Sequence, residues 1–148
     1  MKKTILALMA IVLNVLIGYS QNYNASQKSF IRSLQDFLKS EGYNPERQDD
    51  GLKFTRSGDV YYLEVSNSDC DPMYLRLRRY IRYNAEISKE YVSEQLNTYN
   101  AKYGVKVLCT EKAVVLSAEM YLNEASEFTG IFDTLIMQLI SAGFYFSE

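Results

Sequence analysis

Arginine and tyrosine alternate between positions 74 and 82, and this alternation is the clearest sign of binding chemistry in the sequence. The segment is typical of a β-strand, in which every second side chain points to the same side of the sheet. Arginine and tyrosine are enriched at protein interfaces, and stacked guanidinium groups suit acidic partners. The predicted binding residues are these alternate positions and one tyrosine of the preceding strand: Tyr62, Tyr74, Arg76, Arg78, Tyr80 and Arg82.

The same alternation also has a purely structural interpretation. A solvated sheet face can carry Arg–Glu and Arg–Tyr pairs between strands, each contributing roughly 0.2–1 kcal/mol. Both interpretations of the arginine–tyrosine face stay open at the level of sequence.

A second candidate interface is the tyrosine side of a predicted helix, formed by Tyr91, Tyr99 and Tyr103.

Catalytic chemistry has little support in the residue types present. Histidine is absent, which removes the commonest general base and the commonest metal ligand. No Ser-x-x-Lys begins a helix, and no glycine-rich phosphate loop occurs. The paired acids at Asp49-Asp50 and Asp69-x-Asp71 lie in loops with Gly or Pro, where Asp side chains usually form turns. We expect no catalytic residue, no cofactor and no enzyme activity.

One acidic loop has the beginning of a calcium-site spacing. Asn67, Asp69 and Asp71 alternate as the first ligands of an EF-hand loop do, but the sixth-position Gly and the distal Glu are absent. We therefore expect an Asx-rich turn and no metal site.

The first 20 residues have the composition of a cleavable export signal. Two lysines follow Met1, positions 5–17 are apolar apart from one Asn, and the small residues Gly18 and Ser20 precede Gln21. The apolar stretch is shorter than the roughly 20 residues that a membrane-spanning helix needs. We expect cleavage after residue 20 and a mature protein of residues 21–148, periplasmic or secreted and without a stable membrane anchor.

Charge and length limit the partners of that mature protein. The full chain has 16 basic and 18 acidic residues, and loss of two lysines with the signal leaves 14 against 18, a net charge of −4. Such a protein has no general attraction to nucleic acid or anionic lipid. The remaining 128 of the 148 residues correspond to one domain that can bury its own core.

Periodicity along residues 21–148 predicts an α+β fold with the order α-β-β-β-α-β-β-α. Helical spacing occurs in the segments Phe30–Gly42, Ser88–Gly104 and Glu124–Ala142. Alternation or short apolar runs predict strands at 52–55, 60–65, 73–83, 105–109 and 113–122. Hairpin connections indicate one antiparallel five-stranded sheet, with the first and last helices covering one face.

The two cysteines present opposing arguments. Export to an oxidising compartment favours a disulfide between Cys70 and Cys109. However, Cys70 precedes the third predicted strand and Cys109 ends the fourth, and these strands run the same way if the second helix returns the chain. Their opposite ends then lie farther apart than the roughly 7 Å between Cα atoms that a disulfide allows. Both states stay open, and the geometry favours free thiols.

The order of elements resembles that of the YbjN-like families and their type III secretion chaperone-like fold. Four loose motifs carry the resemblance: the Phe-x-x-x-Leu-x-x-Phe-Leu-x-x-x-Gly helix from Phe30 to Gly42, the Asp-Asp-Gly-Leu-x-Phe segment from Asp49 to Phe54, Asp71-Pro72, and Leu96-Asn97-x-x-Asn100 followed by Lys106-Val107. The resemblance implies a protein-binding fold, often homodimeric, with no catalytic residues to carry over.

These observations predict an exported, non-enzymatic protein-interaction module of the chaperone, adaptor or inhibitor kind. Its partner would be another protein that contacts the tyrosine–arginine face. The alternative is a binder of a small anionic ligand, such as an acidic glycan, a lipid or phosphate, held by the same arginines.

Overall fold

The computed structural model describes residues 23–83, 88–102, 104–144 and 146, without the side chains of 95, 97–99, 101 and 102. The predicted export signal at residues 1–20 lies outside the described residues. The elements, in chain order, are α1 (Ala25–Ser40), β1 (Glu46–Gln48), β2 (Gly51–Arg56), β3 (Asp59–Val65), β4 (Met73–Arg82), α2 (Lys89–Lys102), β5 (Lys106–Cys109), β6 (Ala113–Leu122) and α3 (Ala125–Phe144).

The sheet is antiparallel throughout, and its strands lie in the order β1-β2-β3-β4-β6-β5. The α+β class and the antiparallel sheet predicted from periodicity are confirmed. The expected number of five strands is wrong, because the described chain contributes six. The additional strand, β1, has the sequence Glu-Arg-Gln and contains no apolar residue, so it gives no alternation signal. It pairs with β2 at the sheet edge, where Lys53 Nζ lies 3.1 Å from Glu46 Oε2.

Helix α1 begins at a capping box that lies before its apolar stripe. The Asn24 side chain accepts a hydrogen bond from Gln27 N at 2.9 Å, and Gln27 Oε1 accepts one from Asn24 N at 2.8 Å. The buried Gln27 side chain also donates to the carbonyls of Ser66 and Ser68, which fixes the start of α1 to the β3–β4 loop. Each such bond satisfies a polar group that would otherwise be buried without a partner.

The core lies between one face of the sheet and the apolar sides of α1 and α3. The ring centroids of Phe37 on α1 and Phe132 on α3 are 5.4 Å apart in an edge-to-face contact. The largest fully buried side chains that the sheet contributes are Leu52, Phe54, Tyr61, Leu63, Leu75, Leu77 and Leu116. Burial of one such aliphatic or aromatic side chain stabilises the fold by about 1.5–3 kcal/mol.

Helix α2 lies on the same side of the sheet as α1 and α3. Ser88 Oγ caps its start by accepting a hydrogen bond from Tyr91 N at 3.1 Å, and Val92 is fully buried in the core. Ser93 Oγ lies 3.7 Å from the sulfur of Cys109, which is beside the core residue Val114 in the β5–β6 register. All three described helices therefore pack on one face of the sheet.

Arg79 is the exception to the apolar character of the core side of β4. Its guanidinium is mostly buried, pairs with Asp59 at 2.8 Å and lies 3.5 Å from the carbonyl oxygen of Leu139 on α3. Gly143, one turn later on α3, makes room for it: a Cβ there would lie 2.3 Å from Arg79 Nη1 and 3.3 Å from Ile81 Cδ1. The close approach of α3 to β4 thus depends on a glycine at position 143.

Both cysteines are free thiols. Strands β4 and β5 are each antiparallel to β6 and therefore run in the same direction. Through β6, Cys109 is level with Ile81 near the end of β4, whereas Cys70 precedes the start of that strand. Eight residues from Met73 to Ile81, at about 3.4 Å each, place the two sulfurs at opposite ends of the sheet.

None of the three described helices has the length and apolarity to cross a membrane.

Candidate functional site

The predicted binding residues lie together on the side of the sheet opposite the helices, here called the outer face. Leu75 and Leu77 of β4 are fully buried on the core side, so their neighbours project outward. The outward set on β4 is Tyr74, Arg76, Arg78, Tyr80 and Arg82. Tyr62 on β3 is directly beside Arg78 in the register and completes the set of six.

A buried glutamate on β3 holds the central pair of arginines. Glu64 is beside Arg76 in the register, and its side chain is only 7% exposed. Arg76 donates to Glu64 Oε2 from Nε at 2.8 Å and from Nη2 at 2.7 Å, and Arg78 pairs with the same carboxylate. Two guanidinium groups therefore share one negative charge, and their positions are fixed by it.

A second carboxylate flanks Arg76 on the opposite side. Glu119 of β6 forms an ion pair with Lys106 of β5 and accepts a hydrogen bond from Ser117 Oγ at 3.3 Å. Burial and a hydrogen bond to Glu119 raise the pKa of Tyr74 to about 12. Burial also tends to raise the pKa of Glu119, but hydrogen bonds from Lys106 and Tyr74 outweigh this and leave that pKa lowered. Tyr74 is therefore neutral and Glu119 ionised over the physiological range.

The tyrosines of the outer face pack against one another across strands. The ring centroids of Tyr62 and Tyr80 are 5.2 Å apart and nearly perpendicular, and the Arg78 guanidinium carbon lies 5.3 Å from the Tyr80 ring centroid. Tyr74 and Tyr121 form a second pair at 5.2 Å. Aromatic pairs and cation–π contacts of this kind contribute about 0.5–1.5 kcal/mol each. The rings are thus held in place while part of their surface remains in water.

An apolar row, formed by Tyr80, Val115 and Leu108, crosses the outer face from β4 to β5. The register places these three residues side by side on β4, β6 and β5. Val115 is buried, whereas Leu108 is 60% exposed and Tyr80 is 38% exposed. Tyr121, near the opposite end of β6, is 64% exposed. Sequence reasoning did not identify Leu108 as part of the face, although alternation within β5 puts it on the side opposite the buried Val107.

The predicted helix interface is not brought together with this face. Tyr91 is 47% exposed, but it lies on α2 and hence on the helix side of the sheet. The side chain of Tyr99 and the whole of Tyr103 lie outside the described residues. None of the described side chains of α2 lies on the outer face with the six predicted binding residues.

The loop between β3 and β4 has a structural role. Asp69 Oδ1 accepts a hydrogen bond from Asn24 Nδ2 at 3.2 Å, so Asp69 supports the residue that caps α1. Within the described part of the chain, no three acidic or thiol side chains converge as metal ligands.

Comparison of the chain with protein-family models and with curated protein sequences finds no match.

Proposed function

We propose that this chain is an exported, non-enzymatic module that binds another protein through the outer face. The observation that carries the proposal is a tyrosine- and arginine-rich sheet surface with all three described helices on its other side. Large apolar groups remain in water on this surface, notably Tyr121 and Leu108. Such residues bury well in the centre of an interface, with polar and charged groups around them.

The packing of the face supports recognition rather than a merely solvated surface. Binding normally requires that long side chains lose rotamer freedom, at about 0.5–1.5 kcal/mol for each immobilised chain. Arg76 and Arg78 are already held by Glu64, and Tyr80 is already held between Tyr62 and Arg78. A partner would therefore contact an ordered surface, and little of the binding free energy would be lost in ordering its side chains.

The alternative, a small anionic ligand at the arginines, has weaker support. Arg76 and Arg78 already share the buried Glu64 carboxylate, so an incoming anion would compete with it. The depression beside Arg76 is lined by Asp50 and Glu64 as well, and both carboxylates repel anions. Ligand-induced stabilisation tests this alternative, since a bound anion raises the melting temperature by mass action.

The remaining parts of the proposal come from the sequence. The order of elements and the motifs from Phe30 to Gly42 and from Asp49 to Phe54 resemble the YbjN-like families and their type III secretion chaperone-like fold. That resemblance supports protein binding and a homodimeric state. The composition of residues 1–20 supports export to the periplasm or beyond the cell.

Affinity capture from a cell-envelope extract tests the proposal. The face variant combines Tyr121→Ser with Leu108→Ser, two exposed positions whose loss leaves the core intact. The matched control combines Tyr91→Ser with Met137→Ser, two exposed positions on the helix side. We expect the face variant to lose the specific partner and the control to retain it. Equal capture by both variants would reject the outer face as the binding surface.

A further inference from the structure

The outer face is more positive than the protein as a whole. It presents five cations on its strands, and four carboxylates accompany them: Lys53, Arg76, Arg78, Arg82 and Lys106 against Glu46, Glu64 and Glu119 on the strands and Asp50, which lines the depression beside Arg76. Among the described residues the face therefore has an excess of one positive charge, whereas the full chain has a net charge of −2. An acidic protein with one positive face presents that face to negatively charged surfaces.

The excess is concentrated on β4, on both sides of Tyr80. Lys53 is balanced by Glu46 and Lys106 by Glu119, whereas Arg76 and Arg78 share a single carboxylate. Arg82 has no acidic partner within the described residues. Arg78 and Arg82 each stand two residues from Tyr80 on the same face, which is roughly 7 Å along a strand.

The apolar row crosses the sheet at this same point. Tyr80 begins it on β4 and the exposed Leu108 ends it on β5, with the buried Val115 between them. Arg78 and Lys106 border the row on one side, two residues before Tyr80 and Leu108 respectively. Arg82 borders it on the other side, two residues after Tyr80. An apolar centre with charged groups around it is the usual anatomy of a protein interface. Here the charged side chains that the register places next to the row, Arg78, Lys106 and Arg82, are cations.

We infer that the partner docks on the apolar row with a segment that carries apolar side chains flanked by carboxylates. The inference rests on the proposed protein-binding function and specifies its partner. Arg82 has no counter-ion among the described residues, so a neutral segment would supply none on covering it, and desolvation of an unpaired charge is strongly unfavourable. A basic segment would add repulsion. Carboxylates on either side of the apolar residues pair with Arg82 on one side and approach Arg78, which shares Glu64 with Arg76, on the other.

Synthetic peptides of defined charge test this inference. Two dye-labelled 12-residue peptides have the same leucine and phenylalanine positions, with glutamate at the other positions in one and lysine in the second. Binding to the protein is measured by fluorescence anisotropy at low and high salt. We expect the glutamate peptide to bind, the lysine peptide not to bind, and salt to weaken the complex because the pairs are near the surface.

Variants locate the contact. Arg82→Glu should weaken binding of the glutamate peptide by about tenfold or more, which corresponds to about 1.4 kcal/mol. Leu108→Ser should weaken it as well, and Arg32→Glu on the exposed side of α1 is the matched control and should change nothing. Failure of the glutamate peptide to bind, equal binding of the two peptides, or insensitivity to Arg82→Glu would overturn the inference.

The outcomes separate this inference from the proposed function. If Tyr121→Ser with Leu108→Ser abolishes partner capture but the glutamate peptide does not bind, the face binds a protein and the acidic-partner inference fails. Competition by inorganic polyphosphate that is insensitive to Leu108→Ser would indicate a simple anion site and would also overturn the inference. If neither capture nor peptide binding depends on the face, both proposals fail.

Discussion

Neutralisation of Glu64 should destabilise the fold, because this carboxylate balances two guanidinium groups. Glu64→Gln keeps the shape of the side chain and one acceptor oxygen but removes the negative charge. Arg76 and Arg78 would then face each other across an uncharged amide, within the same strand and two residues apart. Like charges at this distance repel, and the positive excess of the outer face increases from one to two.

The exposure of the three side chains sets the magnitude. A fully buried pair that loses one partner loses about 3–5 kcal/mol, and a fully exposed pair about 0–1 kcal/mol. Glu64 is 7% exposed, but Arg78 is 23% and Arg76 38% exposed, so water partly solvates the remaining charges. We therefore expect about 2–3 kcal/mol of lost unfolding free energy, between the two limits. For a domain of this size that corresponds to a melting temperature lower by about 10 °C.

Urea denaturation followed by circular dichroism measures this loss directly. Glu46→Gln is the matched control, since Glu46 is on the same side of the sheet and pairs with Lys53 but is 61% exposed. The control should lose less than about 1 kcal/mol. If Glu64→Gln and Glu46→Gln lose the same small amount, burial of the Glu64 carboxylate does not organise the arginines and the reasoning is wrong.

Three further predictions concern other parts of the molecule. Gly143→Ala should lower the unfolding free energy by about 1–3 kcal/mol, because its methyl group would meet the Arg79 guanidinium. Gly130→Ala on the same helix has open space around it and should raise the unfolding free energy by about 0.5–1 kcal/mol. Urea denaturation of the two variants measures both changes. Burial raises the pKa of Tyr23 to about 12, above its unfolded value of 10.0. The contribution of Tyr23 to stability is therefore complete below pH 10 and is lost as the pH rises towards 12. Tyr23→Phe should reduce that loss when the unfolding free energy is measured between pH 9 and 12. Expression in a bacterium should give a secreted or periplasmic protein whose first residue is Gln21 by intact-mass analysis, and an uncleaved product would refute the export prediction.

Periodicity predicted the parts of the fold whose side chains alternate between core and water. Strand β6 has the bounds expected from its alternation, and α3 extends only two residues beyond the expected Ala142. Strand β1 could not be predicted in this way, because its three side chains are all polar and it is held at the sheet edge by backbone pairing with β2 and by the Glu46–Lys53 ion pair. Local pattern therefore identifies the elements that bury apolar surface and misses those that do not.

The candidate site could be predicted only in part from the sequence, because its pairings depend on which strands are neighbours. The outward direction of Arg76 and Arg78 follows from alternation within one strand. The buried state of Glu64 and the neighbours of Arg78 depend on the order of strands, in which β6 separates β4 from β5. The adjacent arginines Arg78 and Arg79 must point to opposite faces, so one of them enters the core, and only the structure shows Asp59 there to pair with it. Pairings of this kind are properties of the register and not of local sequence.

Site-specific photo-cross-linking in cells tests the central claim, that the outer face contacts the partner. Benzoylphenylalanine replaces Leu108 in one protein, Tyr121 in a second and Met137 on α3 in a third, all at exposed positions. The outer-face account predicts the same cross-linked partner from positions 108 and 121 and none from position 137. Adducts from position 137 alone would place the interface on the helices and contradict the account.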